Sequence, residues 1–252
     1  FNETLINIGD RYLIGFIVSA AAVGLYSPSY AIGCFLIILA RISTGVLPPI
    51  LSNLYDNNDL ASFRNILSLA LKFYFSLSFA FFIGANVYGD EFLAIYINPE
   101  FSENSSVILY LISFATIFAG MNLVLSNYFY VLLKTKFMLN VNALAVVINI
   151  MLNCILLYIF KDILYAAIST ILSFLIVFLI YFSYTRAFLN IRFNYFSIIR
   201  ILIPPLSILF ISLILEYSFF NSLSIFIKII TCMLGYIFII IFVEIDFFRE
   251  LM

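Results

Sequence analysis

The stretch Val107–Leu132, VILYLISFATIFAGMNLVLSNYFYVL, decides the fold class because it contains no charged residue. A helix needs about 20 apolar residues to cross the hydrocarbon core of a bilayer, and this stretch is long enough. Further predominantly apolar runs of similar length occur on both sides of it. The sequence therefore predicts about eight spanning helices: Leu5–Ala22, Gly24–Leu47, Asn65–Tyr88, Val107–Leu132, Phe137–Phe160, Ile163–Tyr184, Ile198–Tyr217 and Leu223–Val243.

The composition agrees with a membrane protein. Of the 252 residues, 65% are hydrophobic and 10% are charged, whereas soluble domains carry about 25% charged residues. We therefore expect an all-α, polytopic bundle with little mass outside the membrane. The net charge of −1 says nothing about nucleic acid, but the lack of a basic run predicts no nucleic-acid partner. Cys34, Cys154 and Cys232 lie in apolar runs and are interpreted as small core hydrophobes rather than disulfide partners.

Short polar stretches separate the predicted helices. The predicted connections are Pro48–Arg64, Gly89–Ser106, Leu133–Lys136, Lys161–Asp162, Thr185–Ser197 and Ser218–Ser222, and Pro48-Pro49 is interpreted as a helix stop. Alternate connections and the tail contain Arg64, Lys134, Lys136, Arg186, Arg192 and Arg249, Arg200 lies just inside the adjoining predicted helix, and the other side has only Lys161. The positive-inside rule predicts that the first set is cytoplasmic. The acidic connection Gly89–Ser106 is then expected outside, as a solvated loop.

Four basic residues fall inside predicted helices, where a charge costs about 3 kcal/mol at the bilayer centre. Arg11, Arg41 and Lys72 lie on the first three helices, and we expect them at similar depth in the cytoplasmic half. This arrangement predicts a cationic cavity for an anionic cargo. The alternatives are snorkelling of Arg41 and Lys72 to the headgroups, and a structural pair between Asp10 and Arg41. The fourth, Lys228, lies near the outer end of its helix and is interpreted as snorkelling.

Polar residues also recur on single helix faces at steps of three and four. They form a candidate polar lining of the cavity: Asn7, Tyr30, Ser68, Ser76, Asn149 and Asn153. The alternative is helix packing, since small and amide side chains commonly join membrane helices. No nucleotide-binding glycine loop or HExxH motif occurs, and the longest predicted connection is short. We therefore expect no enzyme, no cofactor and no metal site.

Several motifs resemble, in order and spacing, those of polysaccharide biosynthesis flippases of the Wzx type, which belong to the multidrug/oligosaccharidyl-lipid/polysaccharide exporter superfamily. They are Asp10-Arg11-Tyr12-Leu13-Ile14-Gly15, Val23-Gly24-Leu25-Tyr26-Ser27, Leu47–Tyr55, Ile148–Asn153 and Ala166–Thr170. The resemblance covers residues 1 to about 185, and the last two helices match by hydropathy. Tyr165 departs from the pattern, because the family usually has glycine before the Ala166-Ala167 pair.

The resemblance implies a two-lobe protein that moves a lipid-diphosphate-linked oligosaccharide across the bacterial inner membrane by alternating access, for O-antigen, capsule or exopolysaccharide assembly. Residues 1–185 would be its second six-helix lobe, and residues 186–252 two additional helices. The implied partners are the lipid-linked substrate, membrane lipids, a preceding first lobe and a polysaccharide polymerase. Arg11, Arg41 and Lys72 would bind the diphosphate, with Asp10 as a charge partner.

Three other functions compete with the flippase, and one of them is a scaffold that transports nothing. An ion-coupled multidrug exporter of the same superfamily would need buried carboxylates for sodium ions or protons, and the acids in the predicted helices are few: Asp10, Glu216 and Glu244. A membrane polysaccharide polymerase would usually need a large loop with functional side chains. Because the charged residues inside the helices are mostly basic, the sequence favours an anionic cargo.

Overall fold

A computed structural model describes the backbone of residues 2–96, 99–189, 195–217 and 224–249, and the side chains of residues 8–95, 105–188, 200–215 and 224–241. Over these residues the chain is helical except for short turns and connections, and it contains no strand. The helices are α1 Asn2–Ile17, α2 Ala20–Gly33, α3 Ile37–Asp56, α4 Leu60–Tyr96, α5 Pro99–Val131, α6 Thr135–Phe160, α7 Leu164–Leu189, α8 Tyr195–Tyr217 and α9 Ile225–Arg249. The predicted class, a polytopic bundle of membrane helices, is confirmed.

Five of these helices are long and apolar enough to cross a membrane, counted over the residues that the structure describes: α3, α4, α5, α6 and α7. The described apolar parts of α8 and α9 are shorter, at Arg200–Leu215 and Ile225–Ile241. The four predicted helices from Asn65 to Tyr184 thus correspond to α4 through α7. The full count of eight crossings remains a prediction.

The first two predicted helices are divided differently. The first ends at Ile17 rather than Ala22, because Ser19 caps the next helix: its hydroxyl accepts a hydrogen bond from the backbone N–H of Ala22 at 3.1 Å. The second predicted helix is broken at residues 34–36 into α2 and α3. Both halves pack along α5 and run in the same direction as α5.

The predicted connection Pro48–Arg64 is wrong, because α3 continues through both prolines to Asp56. Buried Leu47 and Leu51 hold this part of α3 in the core against α5, and packing of this kind lets membrane helices tolerate proline. The true connection is residues 57–59, in which Asn58 is left-handed at φ 58°. Asp59 then caps α4 by accepting the Ser62 N–H at 3.1 Å, and the Ser62 hydrogen bonds lower the pKa of Asp59.

The predicted acidic loop Gly89–Ser106 is also mostly helical. α4 continues to Tyr96 and α5 begins at Pro99. Asp90 and Glu91 therefore lie exposed on the last turns of α4, while Glu100 and Glu103 occupy the first turns of α5 and their side chains lie outside the described residues. Both helices extend past the predicted ends because apolar contacts between them, such as Gly89 beside Leu109, continue beyond the apolar stretch that we used to place their ends.

The centre of the bundle is α5. In its most apolar window 61% of the residues are buried inside the protein, against 17% for α3. It runs antiparallel to α4: Tyr74 donates to the Thr116 carbonyl at 3.0 Å, and Phe63 packs on Tyr128 near the other end. Helix α7 packs on α5, with α6 against α7 and α1 against α6 and α2, while α8 and α9 pack on each other and against α4.

Candidate functional site

The carboxyl group of Asp10 is fully buried at the junction of four helices. It accepts hydrogen bonds from Tyr26 of α2 at 3.2 Å, Thr170 of α7 at 2.8 Å and the amide of Asn153 of α6. A buried carboxylate costs several kcal/mol unless hydrogen bonds compensate for the lost water. Here neutral donors from three other helices supply that compensation. The sequence had suggested Arg41 as a partner of Asp10 instead.

The hydrogen bonds continue from Asp10 into α6 and α7. The Asn153 amide also donates to the Asn149 side-chain oxygen at 3.2 Å, and Ser169 donates to the Asn153 oxygen at 2.6 Å. The Asn149 amide nitrogen is buried and has no hydrogen-bond partner among the described residues. We refer to Asp10, Tyr26, Asn149, Asn153, Ser169 and Thr170 as the Asp10 network.

The network lies near one end of the bundle. Asn153 is about seven residues before the end of α6 and Thr170 about six after the start of α7, so the network is roughly 10 Å from that end. The same end contains the α1–α2 and α6–α7 connections. On the predicted orientation this is the outer half of the membrane.

Three members of the network were predicted as site residues: Asp10, Asn149 and Asn153. The structure brings them together. Sequence reasoning missed Tyr26, Ser169 and Thr170, although all three lie in the motifs that resemble the flippases. Tyr26 is one turn before the predicted Tyr30, and this spacing is the signal that was present. The contact with Asp10 depends on how the helices cross, and spacing along the chain does not reveal a crossing.

The three predicted cavity cations do not lie at one depth. Arg11 is half-buried with its guanidinium 5.9 Å from the Tyr30 ring centroid, and its Nε is buried without a hydrogen-bond partner among the side chains that the structure describes. Arg41 follows Tyr30 by about eleven residues on α2–α3, or roughly 16 Å along the axis. It is exposed, and Lys72 of α4 is half-buried. The structure thus separates Arg11 from the level of Arg41.

The remaining predicted lining residues fall in different places. Tyr30 is buried and packs on Tyr26 with ring centroids 5.5 Å apart. Ser68 is half-buried, whereas Ser76 is buried within hydrogen-bond distance of the Tyr236 hydroxyl of α9, at 3.2 Å, and therefore belongs to a helix contact. The side chain of Asn7 lies outside the described residues.

Two other interpretations from the sequence change with the structure. Lys228 is 4% exposed in α9, so protein atoms cover a side chain that we had expected to snorkel. The three cysteines are free, as predicted, but only Cys232 is buried, while Cys154 is exposed on α6.

An apolar cavity of about 340 Å³ lies beside the contact of α8 and α9 with α4. Its walls come from α4, α5, α8, α9 and the break between α2 and α3, including Ile32, Phe35, Gly84, Leu109 and Met233. Ser76–Tyr236 and Tyr88–Cys232, the latter at 3.7 Å, are polar contacts near this apolar region.

The fold and the buried network define a multi-pass membrane protein. Comparison with known proteins indicates which kind of membrane protein the chain resembles. Over 189 residues the chain is 23% identical to the probable low-salt glycan biosynthesis flippase Agl15 of Haloferax volcanii, covering 75% of this chain and 40% of that protein. The chain thus aligns with about two fifths of the length of this relative. No family model and no solved structure matches the chain. The similarity supports a flippase-like membrane protein.

Proposed function

We propose that this chain forms part of a flippase that moves a lipid-diphosphate-linked oligosaccharide across a bacterial inner membrane, by alternating access, for O-antigen, capsule or exopolysaccharide assembly. The observation that supports it is the similarity to a glycan biosynthesis flippase over three quarters of the chain. Residues 1–185 form a second six-helix lobe in this proposal, with α2 and α3 as one broken helix. Residues 186–252 add two helices, and a first lobe supplies the rest of the transport cavity.

Such a cargo has a diphosphate and an apolar tail, and the chain offers surfaces for both. In this proposal exposed Arg41 and half-buried Lys72 would contact the diphosphate through charge-assisted hydrogen bonds. Arg11 would act nearer the opposite end, because its guanidinium lies over Tyr30. The apolar cavity beside α8 and α9 would hold the apolar tail, because its lining residues include no charged side chain.

The cations are tested by neutral substitutions in a strain that lacks its own flippase and receives the protein together with a first lobe. Arg41→Gln, Lys72→Gln and Arg11→Gln should lower surface polysaccharide at normal membrane protein level. Arg41→Lys should restore part of the loss, because the charge remains while the planar fork is lost. Arg186→Gln, at an exposed cation in the last turn of α7, is the matched control. Normal surface polysaccharide in all three Gln variants would contradict the proposal that these cations bind the cargo.

The two-lobe arrangement and the orientation have their own tests. Residues 1–252 alone should not restore surface polysaccharide, because half of the proposed cavity is absent. For orientation, a single cysteine at Asn57, exposed in the α3–α4 connection, should resist an impermeant reagent in intact cells. Labelling there without lysis would reverse the proposed cytoplasmic side.

The Asp10 network favours a second candidate, an ion-coupled exporter of the same superfamily. Asp10, Asn149, Asn153 and Thr170 offer oxygen atoms of the kind that hard cations bind. Both carboxylate oxygens already accept hydrogen bonds, so a sodium ion would require the Asn153 amide to turn. A proton requires only that a hydroxyl reverse its hydrogen bond. Drug resistance lost in Asp10→Asn, with surface polysaccharide unchanged, would favour the exporter over the glycan flippase.

A further inference from the structure

The second spanning segment is broken at a defined place. Between α2 and α3 the backbone closes with short-range hydrogen bonds: Phe35 N–H to Ile32 O at 3.0 Å, Ile37 to Cys34 at 3.0 Å and Leu39 to Leu36 at 3.1 Å. Such i to i+3 bonds form the tighter 3₁₀ helix, and a 3₁₀ stretch inside a helix often marks a hinge. The break leaves the chain direction unchanged, because α2 and α3 both follow α5.

One side chain braces this break from outside. The Thr116 hydroxyl of α5 lies 2.8 Å from the Gly33 carbonyl and 2.9 Å from its own Ile112 carbonyl. A Cβ on Gly33 would lie 2.8 Å from Ile112, so α2 ends in direct contact with α5. The C-terminal end of α2 is therefore fixed, and any movement of α2 is a rotation about residues 34–36.

The other half of α2 is held by the Asp10 network. Tyr26, fully buried, donates its hydroxyl to Asp10 of α1, and α2 contains no other residue of that network. Pro28 lies between Tyr26 and the break, and its missing N–H weakens the helix at that point. The hydrogen bond from Tyr26 to Asp10 therefore influences the angle of α2 relative to α3.

The break also forms a wall of the apolar cavity, through Ile32, Phe35 and Leu36. We propose that Tyr26 is a positioning residue that links the hydrogen bonding of Asp10 to the break at residues 34–36, so that α2 turns and reshapes the cavity wall when Asp10 releases Tyr26. The inference rests on the proposed function only in taking Asp10 as a group whose hydrogen bonds change during transport.

The test measures the angle of α2 directly. In a background with Cys34→Ala, Cys154→Ala and Cys232→Ala, spin labels are placed at Ala21 near the far end of α2 and at Ile95 of α4, both exposed at the same end of the bundle, so that a sideways turn of α2 changes their separation. Because α2 has 14 residues, it is roughly 21 Å long, and a turn of about 15° displaces its far end by about 5 Å. The inter-label distance by double electron–electron resonance is the readout.

Two substitutions should give the same displacement. Tyr26→Phe keeps the ring and removes the donor, and Asp10→Leu keeps an approximate shape and removes both acceptors. The double variant should move α2 no further than either single variant, because the two act through one contact. Thr116→Val, which removes the brace at Gly33, should broaden the distance distribution. Tyr181→Phe, a buried tyrosine of α7 whose hydroxyl has no hydrogen-bond partner among the described residues, is the matched control.

The outcomes separate the inference from its alternatives. The inference is overturned if Tyr26→Phe leaves the inter-label distance as in the parent protein, even when Asp10→Leu changes it. A shift in Tyr181→Phe as well would show general loosening and overturn it too. Thermal unfolding in detergent verifies that each variant is folded. The measurement needs no cargo, so loss of the glycan flippase proposal would leave this result standing and the reverse also holds.

Discussion

Two regions of the molecule hold their helices together in opposite ways, one around the Asp10 network and the other around the apolar cavity. The Asp10 network joins α1, α2, α6 and α7 through hydrogen bonds that reach both oxygens of one carboxylate. The α4–α8–α9 region surrounds an apolar cavity and has Ser76–Tyr236 and Tyr88–Cys232 as its polar contacts across helices. Hydrogen bonds in a polar network fix the distances and angles between helices, whereas helices in contact through apolar surfaces can shift along one another. The comparison indicates a rigid charged region and an adaptable apolar one, both attached to α5 or its neighbour α4.

The strongest disruption should come where α4 meets α5, the contact that links the two regions. A Cβ on Gly120 would lie 1.9 Å from the Tyr74 ring, so Gly120→Ala must displace Tyr74 and its hydrogen bond to Thr116. We expect a loss of about 3 kcal/mol in stability, as for an overpacked core. Thermal unfolding in detergent measures it.

The control for this substitution is Gly45→Ala on α3, where a Cβ meets nothing within 4 Å. It should leave the unfolding temperature unchanged or raise it slightly. Equal stability of the two variants would mean that the close contact between α4 and α5 is not required.

The charged region should respond to Asp10→Ala with the next largest loss. Tyr26, Asn153 and Thr170 would lose their common acceptor inside the bundle, which we expect to cost about 2 kcal/mol. Asp10→Asn keeps one acceptor oxygen and should cost about half as much. The unfolding temperatures of both variants in detergent give the comparison, and an unchanged temperature for Asp10→Ala would show that the network does not hold the four helices.

The apolar region should accept added volume. Gly84 of α4 lines the cavity, and a Cβ there meets nothing within 4 Å. Gly84→Ala should therefore stabilise the protein by about 1 kcal/mol, through helix propensity alone. The same unfolding assay applies. Destabilisation at Gly84 comparable to that at Gly120 would show that the cavity is closed in the membrane.

The smallest effect is expected at the polar contact between α4 and α9. Ser76→Ala removes one hydrogen-bond partner of Tyr236, and hydrogen bonds between membrane helices contribute about 0.6 kcal/mol on average. Ser207→Ala is the control, because that hydroxyl donates within its own helix to Pro204 O. If Ser76→Ala costs as much as Asp10→Ala, the distinction between a rigid and an adaptable region fails.

The sequence predicted the helices from Asn65 to Tyr184 because long, predominantly apolar runs leave the backbone no alternative to helix in a bilayer. It failed at Pro48-Pro49, where packing of Leu47 and Leu51 outweighs the loss of backbone hydrogen bonds, and at the break after Gly33, which no proline or charge marks. At the candidate site, Asp10, Asn149 and Asn153 were recognisable as polar residues in apolar helices. Tyr26 and Thr170 were not, because their roles arise from contacts between α2, α7 and α1.

The length of α4 has a consequence for how the protein sits in its membrane. Its 37 residues correspond to roughly 55 Å, against a hydrocarbon core of about 30 Å. Tilt alone would have to reach nearly 60° to fit it, beyond the range of about 0–40° seen for membrane helices. Part of α4 therefore extends beyond the hydrocarbon core as a helix, and Asp90 and Glu91 are exposed on its last turns.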